Sequence, residues 1–197
     1  MSNRKLHVLC VAYGRPIHLM NICGLFLVQT NPNWELTIMY DGKPPESIYG
    51  IMEFYNDPRI NFKHSKRRKQ NYGHPNRKTM LEEVDANDND LILLTNEDNM
   101  YVPIFVEAML KTAVKGVGFV MCDILHSYIH FDVMKVELRV DHIDMGAFCV
   151  RSDVAKKVGF NHVNFSADGR YAEDCGKYCT EHNLEILHIQ RPLFIHC

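Results

Sequence analysis

Three acid-bearing stretches of this 197-residue chain have the composition of a reactive site. The first is Asn96-Glu97-Asp98, which follows the apolar run 91–94 in LILLTNEDNMYVP. Oxygen ligands grouped so tightly suit a hard cation such as Mg2+ or Mn2+. The second is Asp41, in WELTIMYDGKP, where another apolar run stops at an acid and a glycine. The third is the pair Glu173-Asp174 in AEDCGKYCTEHN. Either carboxylate there could take a proton from a hydroxyl, which is a poor nucleophile until that proton is removed. An acid pair at a helix start also favours the helix dipole, so the pair alone does not decide between catalysis and capping. Tyr13 and Arg15, after the apolar run Leu6–Ala12, add a ring and a cation. The basic segment 66–77 adds a glycine, Gly73, and then Arg77 ahead of a predicted helix, an arrangement able to hold an anion.

These groups meet only if the strands that precede them lie side by side. The patterning predicts strands at Leu6–Ala12, Trp34–Tyr40, 59–64, 91–94 and 118–124. It predicts helices at 17–30 (with Pro16 at the first position), 46–56, 78–84 and 102–114. Such β-α alternation implies an α/β fold with a mostly parallel, doubly wound sheet, whose carboxyl edge is where ligands bind. Beyond residue 124 the rhythm changes. Residues 127–140 alternate like antiparallel strands, and a strand is expected over 144–151. A short helix over 153–158, a polar loop over 161–171, a helix over 172–182 opening at Glu173-Asp174, and strands at 184–189 and 193–196 complete the reading.

Composition narrows the function. Hydrophobic residues make up 46% and charged residues 23%, which is ordinary for a globular protein. The formal net charge of -2 gives no global field toward nucleic acid, and no basic stripe with interleaved aromatics supports such binding. No apolar stretch reaches the length of a membrane span. The run after Arg4 and Lys5 is too short for a signal peptide, so a cytoplasmic protein is expected. Seven cysteines lack the spacing of a zinc site and several sit within apolar runs, so they read as reduced thiols.

Together, VLCVAYGRP, WELTIMYDGKP, NYGHPNRK, LILLTNEDNMYVP, DHIDMGAFCVR and AEDCGKYCTEHN resemble, over nearly the whole chain, the family 2 glycosyltransferases of GT-A fold. The compact form is similar to virus-encoded or bacterial modules, some of them parts of longer chains. The resemblance implies one GT-A domain over 1–197, with a nucleotide-sugar donor half over 1–103 and an acceptor half over 104–197. It implies a UDP-sugar donor and a glycan or glycoprotein acceptor. Asp41 would contact the base, with Ala12, Tyr13 and Arg15 nearby and Arg77 toward the phosphates. Asn96 and Glu97 would line the ribose and the metal shell, and Asp98 would hold Mn2+ or Mg2+. Asp174, or Glu173, would be the base of an inverting transfer. His196 or His188 would supply a further metal ligand, and Asp144 would face the acceptor. The triplet departs from the family's Asp-x-Asp at Asn96. Two alternatives stay open: a nucleotidyltransferase of similar fold, and a non-catalytic sugar- or nucleotide-binding module with an eroded metal site. The short turn Tyr13-Gly14-Arg15-Pro16 argues against the first, and Asn96 is the best support for the second.

Overall fold

A computed structural model describes residues 4–197, so the first three residues of the expected donor half lie outside the described ones. The elements follow in the order β1 (Leu6–Ala12), α1 (Pro16–Leu27), β2 (Trp34–Tyr40), α2 (Glu46–Phe54), β3 (Ile60–His64), α3 (His74–Glu83) and β4 (Leu91–Asn96). Then come β5 (Met100–Tyr101), α4 (Phe105–Thr112), β6 (Val117–His126), β7 (Asp132–Met134), β8 (Phe148–Arg151), α5 (Ser152–Val158), α6 (Ala167–Glu181) and β9 (Glu185–His196). The strands form one sheet in the order β3-β2-β1-β4-β8-β6-β9-β5, with β7 hydrogen-bonded to β6. This is the α/β architecture that the sequence predicts, parallel in its first half and mixed in its second.

The register explains why the reactive stretches converge. β1 lies between β2 and β4, parallel to both, with Ala12 opposite Tyr40 and Val11 opposite Asn96. Tyr13, Asp41 and Glu97, the next residues of each strand, therefore emerge at one edge. β1 is buried along its whole length, as expected of a strand covered on both faces. α1 buries Leu19, Ile22, Cys23 and Phe26, with Phe26 against Trp34 of β2 and Tyr101 of β5. Ile17 and Met20 of α1 and Val28 just after it are exposed. The helix is apolar nearly all round, so periodicity cannot choose its inner side.

The second half departs further from expectation. The strand after α4 does not extend the parallel sheet beside β4. β8 is inserted between β4 and β6, antiparallel to both. β4 and β8 pair only at Leu91–Arg151 and Ile92–Val150, then diverge toward the Asn96 end. The two expected C-terminal strands are one, β9, running parallel to β6 with register shifts. The alternating segment 127–140 yields only the short β7. The expected strand over 144–151 begins with a 3-10 turn at Met145–Ala147 and is extended only from Phe148.

The largest shift is in α6, which starts at Ala167 rather than 172. Its buried stripe, Ala167, Tyr171, Ala172, Cys175, Gly176 and Cys179, has helical spacing from the first residue. Gly169 and Gly176 disguise it as a loop. Both are needed because the segment before β8 lies directly against this helix. A Cβ on Gly169 would sit 2.7 Å from the Cα of Val140. All seven cysteines are free thiols and six are buried, Cys175 and Cys179 on the inner face of α6 as their spacing suggests. Among the described residues no helix is long and apolar enough to cross a membrane. Gly169→Ala must displace the Val140 backbone and is expected to cost about 1–3 kcal/mol, as overpacking does. Thermal denaturation then shows a lower Tm, by roughly 2–4 °C per kcal/mol for a chain of this size.

Candidate functional site

Two cavities share one wall at the carboxyl edge of the sheet. The first, about 280 Å³, is lined by Ala12, Tyr13, Arg15 and Asp41 together with Asn96, Glu97 and Asp98. Seven of the expected site residues are thus brought together. The second, about 420 Å³, opens where β4 and β8 diverge and is lined by Arg77, Asn96, Asp144, Asp168, His126 and His196 among others. Tyr72 and Asn96 border both.

In the first cavity Asp41 is almost wholly buried and serves as an anchor. Its Oδ1 accepts from the Lys69 N–H at 2.8 Å and from Asn76 Nδ2 at 2.8 Å, and its Oδ2 accepts from the Gln70 N–H at 3.0 Å. The Ser65 hydroxyl also donates to Oδ1 at 3.4 Å, and the Arg68 Nε lies 4.0 Å from Oδ2 as its ion-pair partner. The loop so anchored is strained. Gln70, Asn71 and Tyr72 all have φ near +50° (58°, 49° and 54°), ahead of Gly73 at 78°. Only the glycine adopts that region without a Cβ penalty. Gly73 has a second reason to lack a Cβ, which would lie 2.6 Å from Val11. Tyr13 stands at the mouth with the Arg68 guanidinium over its ring, 3.7 Å from the centroid.

The triplet divides its work. Asn96 Oδ1 accepts from Arg77. Glu97 is buried and its Oε1 accepts from the Tyr13 N–H at 2.9 Å. Burial raises its pKa, only partly opposed by that bond. Asp98 pairs with Arg15, whose side chain is half exposed. Asp98 is therefore the less buried of the two carboxylates, and the side chain that engages it is half exposed. One such hard oxygen ligand fits a cation that takes its remaining ligands from phosphate and water, as Mg2+ and Mn2+ do. Among the described residues no group of three His, Cys, Asp or Glu side chains forms a cation cage. His196 is not beside Asp98. It lines the other cavity, with Nε2 3.8 Å from Asp144 and Nδ1 3.2 Å from the Tyr128 hydroxyl. His188 is taken up by the buried Asp123, at 2.7 Å.

Arg77 is buried between the cavities. Its Nη1 donates to the Tyr72 carbonyl and to His74 Nδ1, and its Nη2 to Asn96. Burial lowers its pKa, while Asp168, Asp144 and Glu97 act in the opposite sense. His74 is held neutral, its pKa pushed down to about 4 by burial and by Arg77. Its Nε2–H can then donate to the Asn164 carbonyl at 3.0 Å.

The expected base pair lies elsewhere. Because α6 begins at Ala167, Glu173 and Asp174 stand well inside the helix and line neither cavity. Glu173 accepts from the Val140 N–H at 2.9 Å, and Asp174 pairs with His162 at 2.7 Å with its side chain 51% exposed. The acid in the first turn is Asp168. Six residues separate it from Asp174, about 240° around a helix at 3.6 residues per turn, so the two face different sides. Burial and the neighbouring Asp144 raise the Asp168 pKa to about 6, with Arg77 opposing. Asp144 is fixed by the Gly146 N–H at 2.8 Å. Sequence reasoning missed Asp168, Tyr72 and His126. The apolar stripe starting at Ala167 was the available signal for the first.

No family model matches the sequence, and no curated protein does. The fold does recur among solved structures. Over 98% of this chain it superposes on S. aureus TarS residues 1–349 in complex with UDP, with TM-score 0.78 and 9% identity, covering 60% of that chain. The same protein with UDP-GlcNAc gives TM-score 0.75 at 8% identity, covering 58% of it. The mannosyltransferase PcManGT from Pyrobaculum calidifontis, in complex with GDP-Man and Mn2+, gives TM-score 0.69 at 11% identity over 98% of this chain and 56% of that one. The chain thus spans somewhat over half the length of these neighbours and shares with them the glycosyltransferase GT-A fold.

Proposed function

We propose that this chain is an inverting glycosyltransferase of the family 2 type, moving a sugar from a UDP-sugar to a hydroxyl of a glycan or glycoprotein acceptor. The observation that carries the reading is the shared wall: a nucleotide-sized cavity bearing Asp41, Glu97 and Asp98 adjoins a second cavity holding a base of raised pKa. Neighbours of the same fold bind UDP, UDP-GlcNAc or GDP-Man, which supports a nucleotide-sugar donor. In this reading residues 1–103 form the donor half and 104–197 the acceptor half.

The roles follow from the free lone pairs. The Tyr13 ring offers a face to the base, sharing it with or surrendering it from Arg68. Asp41 Oδ2 accepts from a uracil N–H in place of its 4.0 Å pairing with Arg68. Glu97 Oε2, its partner oxygen being spent on Tyr13, accepts from a ribose hydroxyl. Asp98 would hold Mn2+ or Mg2+, which supplies charge neutralisation on the diphosphate when bound. Across the wall the acceptor hydroxyl gives its proton to Asp168 while its oxygen bonds to the anomeric carbon. The bond from that carbon to phosphate breaks, and the diphosphate leaves with the electron pair. Attack from the face opposite the leaving group inverts the centre. Asp168, in place of Asp174, is the base of this mechanism because it alone of the two lines a cavity.

A base must be ionised to act, so kcat/KM should fall by about tenfold per pH unit below the Asp168 pKa of about 6 and level off above it. Asp168→Asn should lower turnover by about 10²–10⁴-fold with UDP affinity retained, while Asp174→Asn leaves turnover near that of the parent. UDP release from a donor panel reads both. The reverse ranking returns the role to Asp174.

A second reading, a binding module without turnover, is favoured by Asn96 and by the Arg15–Asp98 pair. Calorimetric titration of UDP with and without Mn2+ separates the two. The transferase reading expects Mn2+ to tighten UDP binding and Asp98→Asn to abolish that gain. Binding indifferent to Mn2+, with no UDP released from any donor, favours the module.

A further inference from the structure

Arg68 stands where a nucleoside base would lie. Its guanidinium covers the Tyr13 ring, 3.7 Å from the centroid, and its Nε is 4.0 Å from Asp41 Oδ2. Those are the ring face and the carboxylate oxygen that a uracil takes in the transferase reading. A guanidinium and a pyrimidine are both planar and both carry N–H groups at an edge, so either can stack on a ring while facing a carboxylate. The two cannot occupy that place together. The base subsite is thus filled in this structure by a side chain of the chain itself.

The backbone that carries Arg68 is fixed, whereas its side chain is not. Gly42, at φ 101°, lets the two segments pass so closely that a Cβ there would lie 3.2 Å from the Arg68 N and 3.4 Å from its Cα. On one side the Arg67 carbonyl accepts from the Ser65 hydroxyl at 2.9 Å. On the other the Lys69 and Gln70 N–H groups donate to Asp41. The Arg68 side chain is 51% exposed and is held by one ring contact and one long ion pair, each weak at such a position. Asp41 does not depend on it, because Lys69, Gln70, Asn76 and Ser65 supply four neutral donors to the same carboxylate. A guanidinium on a fixed pivot can therefore leave without loosening the anchor. It also lines the same cavity as Asp98, where the transferase reading puts the diphosphate.

We propose that Arg68 is a specificity-determining residue that makes the donor cavity select nucleoside diphosphates over nucleosides: it fills the base subsite until a uracil displaces it, and the diphosphate then receives its guanidinium. A nucleoside must break the contacts to Tyr13 and Asp41 and offers the displaced cation nothing. A nucleoside diphosphate offers phosphate oxygens, which a guanidinium takes in bidentate fashion. The role rests on the donor cavity of the transferase reading, and its test can fail separately. Calorimetry with Mn2+ present measures uridine and UDP affinity for the full chain and for its Arg68→Ala and Arg68→Lys variants. Arg68→Ala should bind uridine about three- to tenfold more tightly, the scale of the contacts no longer broken. Its preference for UDP over uridine should fall by about tenfold, the scale of one lost charge-assisted contact to phosphate. Arg68→Lys, which keeps the charge without the planar fork, should fall between the two proteins on both measures. Uridine binding by Arg68→Ala that is unchanged or weaker, or a preference for UDP equal to the parent's, overturns the role. With UDP still bound by the parent, those results leave the donor cavity standing. UDP bound by neither the parent nor a variant removes the donor reading and this role with it.

Discussion

A buried guanidinium without a close carboxylate partner is the constraint on which this site turns. Arg77 is 2% exposed and, within hydrogen-bond reach, has a carbonyl, an imidazole and an amide oxygen as its partners. Burying a charge is costly unless it is well hydrogen-bonded and compensated. Compensation here comes from a distance, from Asp168, Asp144 and Glu97. One cation thus ties the end of β4 to the loop before α3 and opposes the upward shift of Asp168 in the second cavity. It also explains how Asn96 is accommodated. A neutral oxygen suffices for Arg77, and the full positive charge remains to steady the acids across the wall.

The sheet makes this arrangement possible by using one edge for everything. The parallel strands β1, β2 and β4 end there by register. β6 and β9, although separated from β4 by β8, run in the same direction, so His126 and His196 finish at the same side. β8 runs the other way, and the chain just before it, with Asp144, begins there. Antiparallel insertion thus brings Asp144 to the edge where the parallel connections place Tyr13, Asp41 and Glu97. The second cavity opens at the Asn96 end of β4, beside Asp144.

Much of the first half was legible in the sequence because its signals are local. Dense apolar runs give strands covered on both faces, and the residues that follow them, Tyr13, Asp41 and Glu97, are necessarily at the strand ends. The second half was legible only in outline, because contacts from afar decide it. Gly169 reads as a loop residue until the Val140 backbone is seen pressed against it. The Glu173-Asp174 pair reads as a helix start, yet Glu173 binds the Val140 N–H from mid-helix and Asp174 faces His162. The aromatic rings around the second cavity lie in three segments far apart in sequence, with no spacing to unite them.

Residues 70–73 carry four positive φ angles in succession, a backbone that L-residues with side chains leave when nothing restrains them. Its restraints are a single carboxylate beneath, at Asp41, and a single guanidinium behind, at Arg77. Tyr72, the partition between the compartments, is carried on that wound segment like a vane on a spring. The molecule therefore keeps its two chambers distinct by holding a piece of backbone under tension, and the anchors of that tension are residues of the chambers themselves.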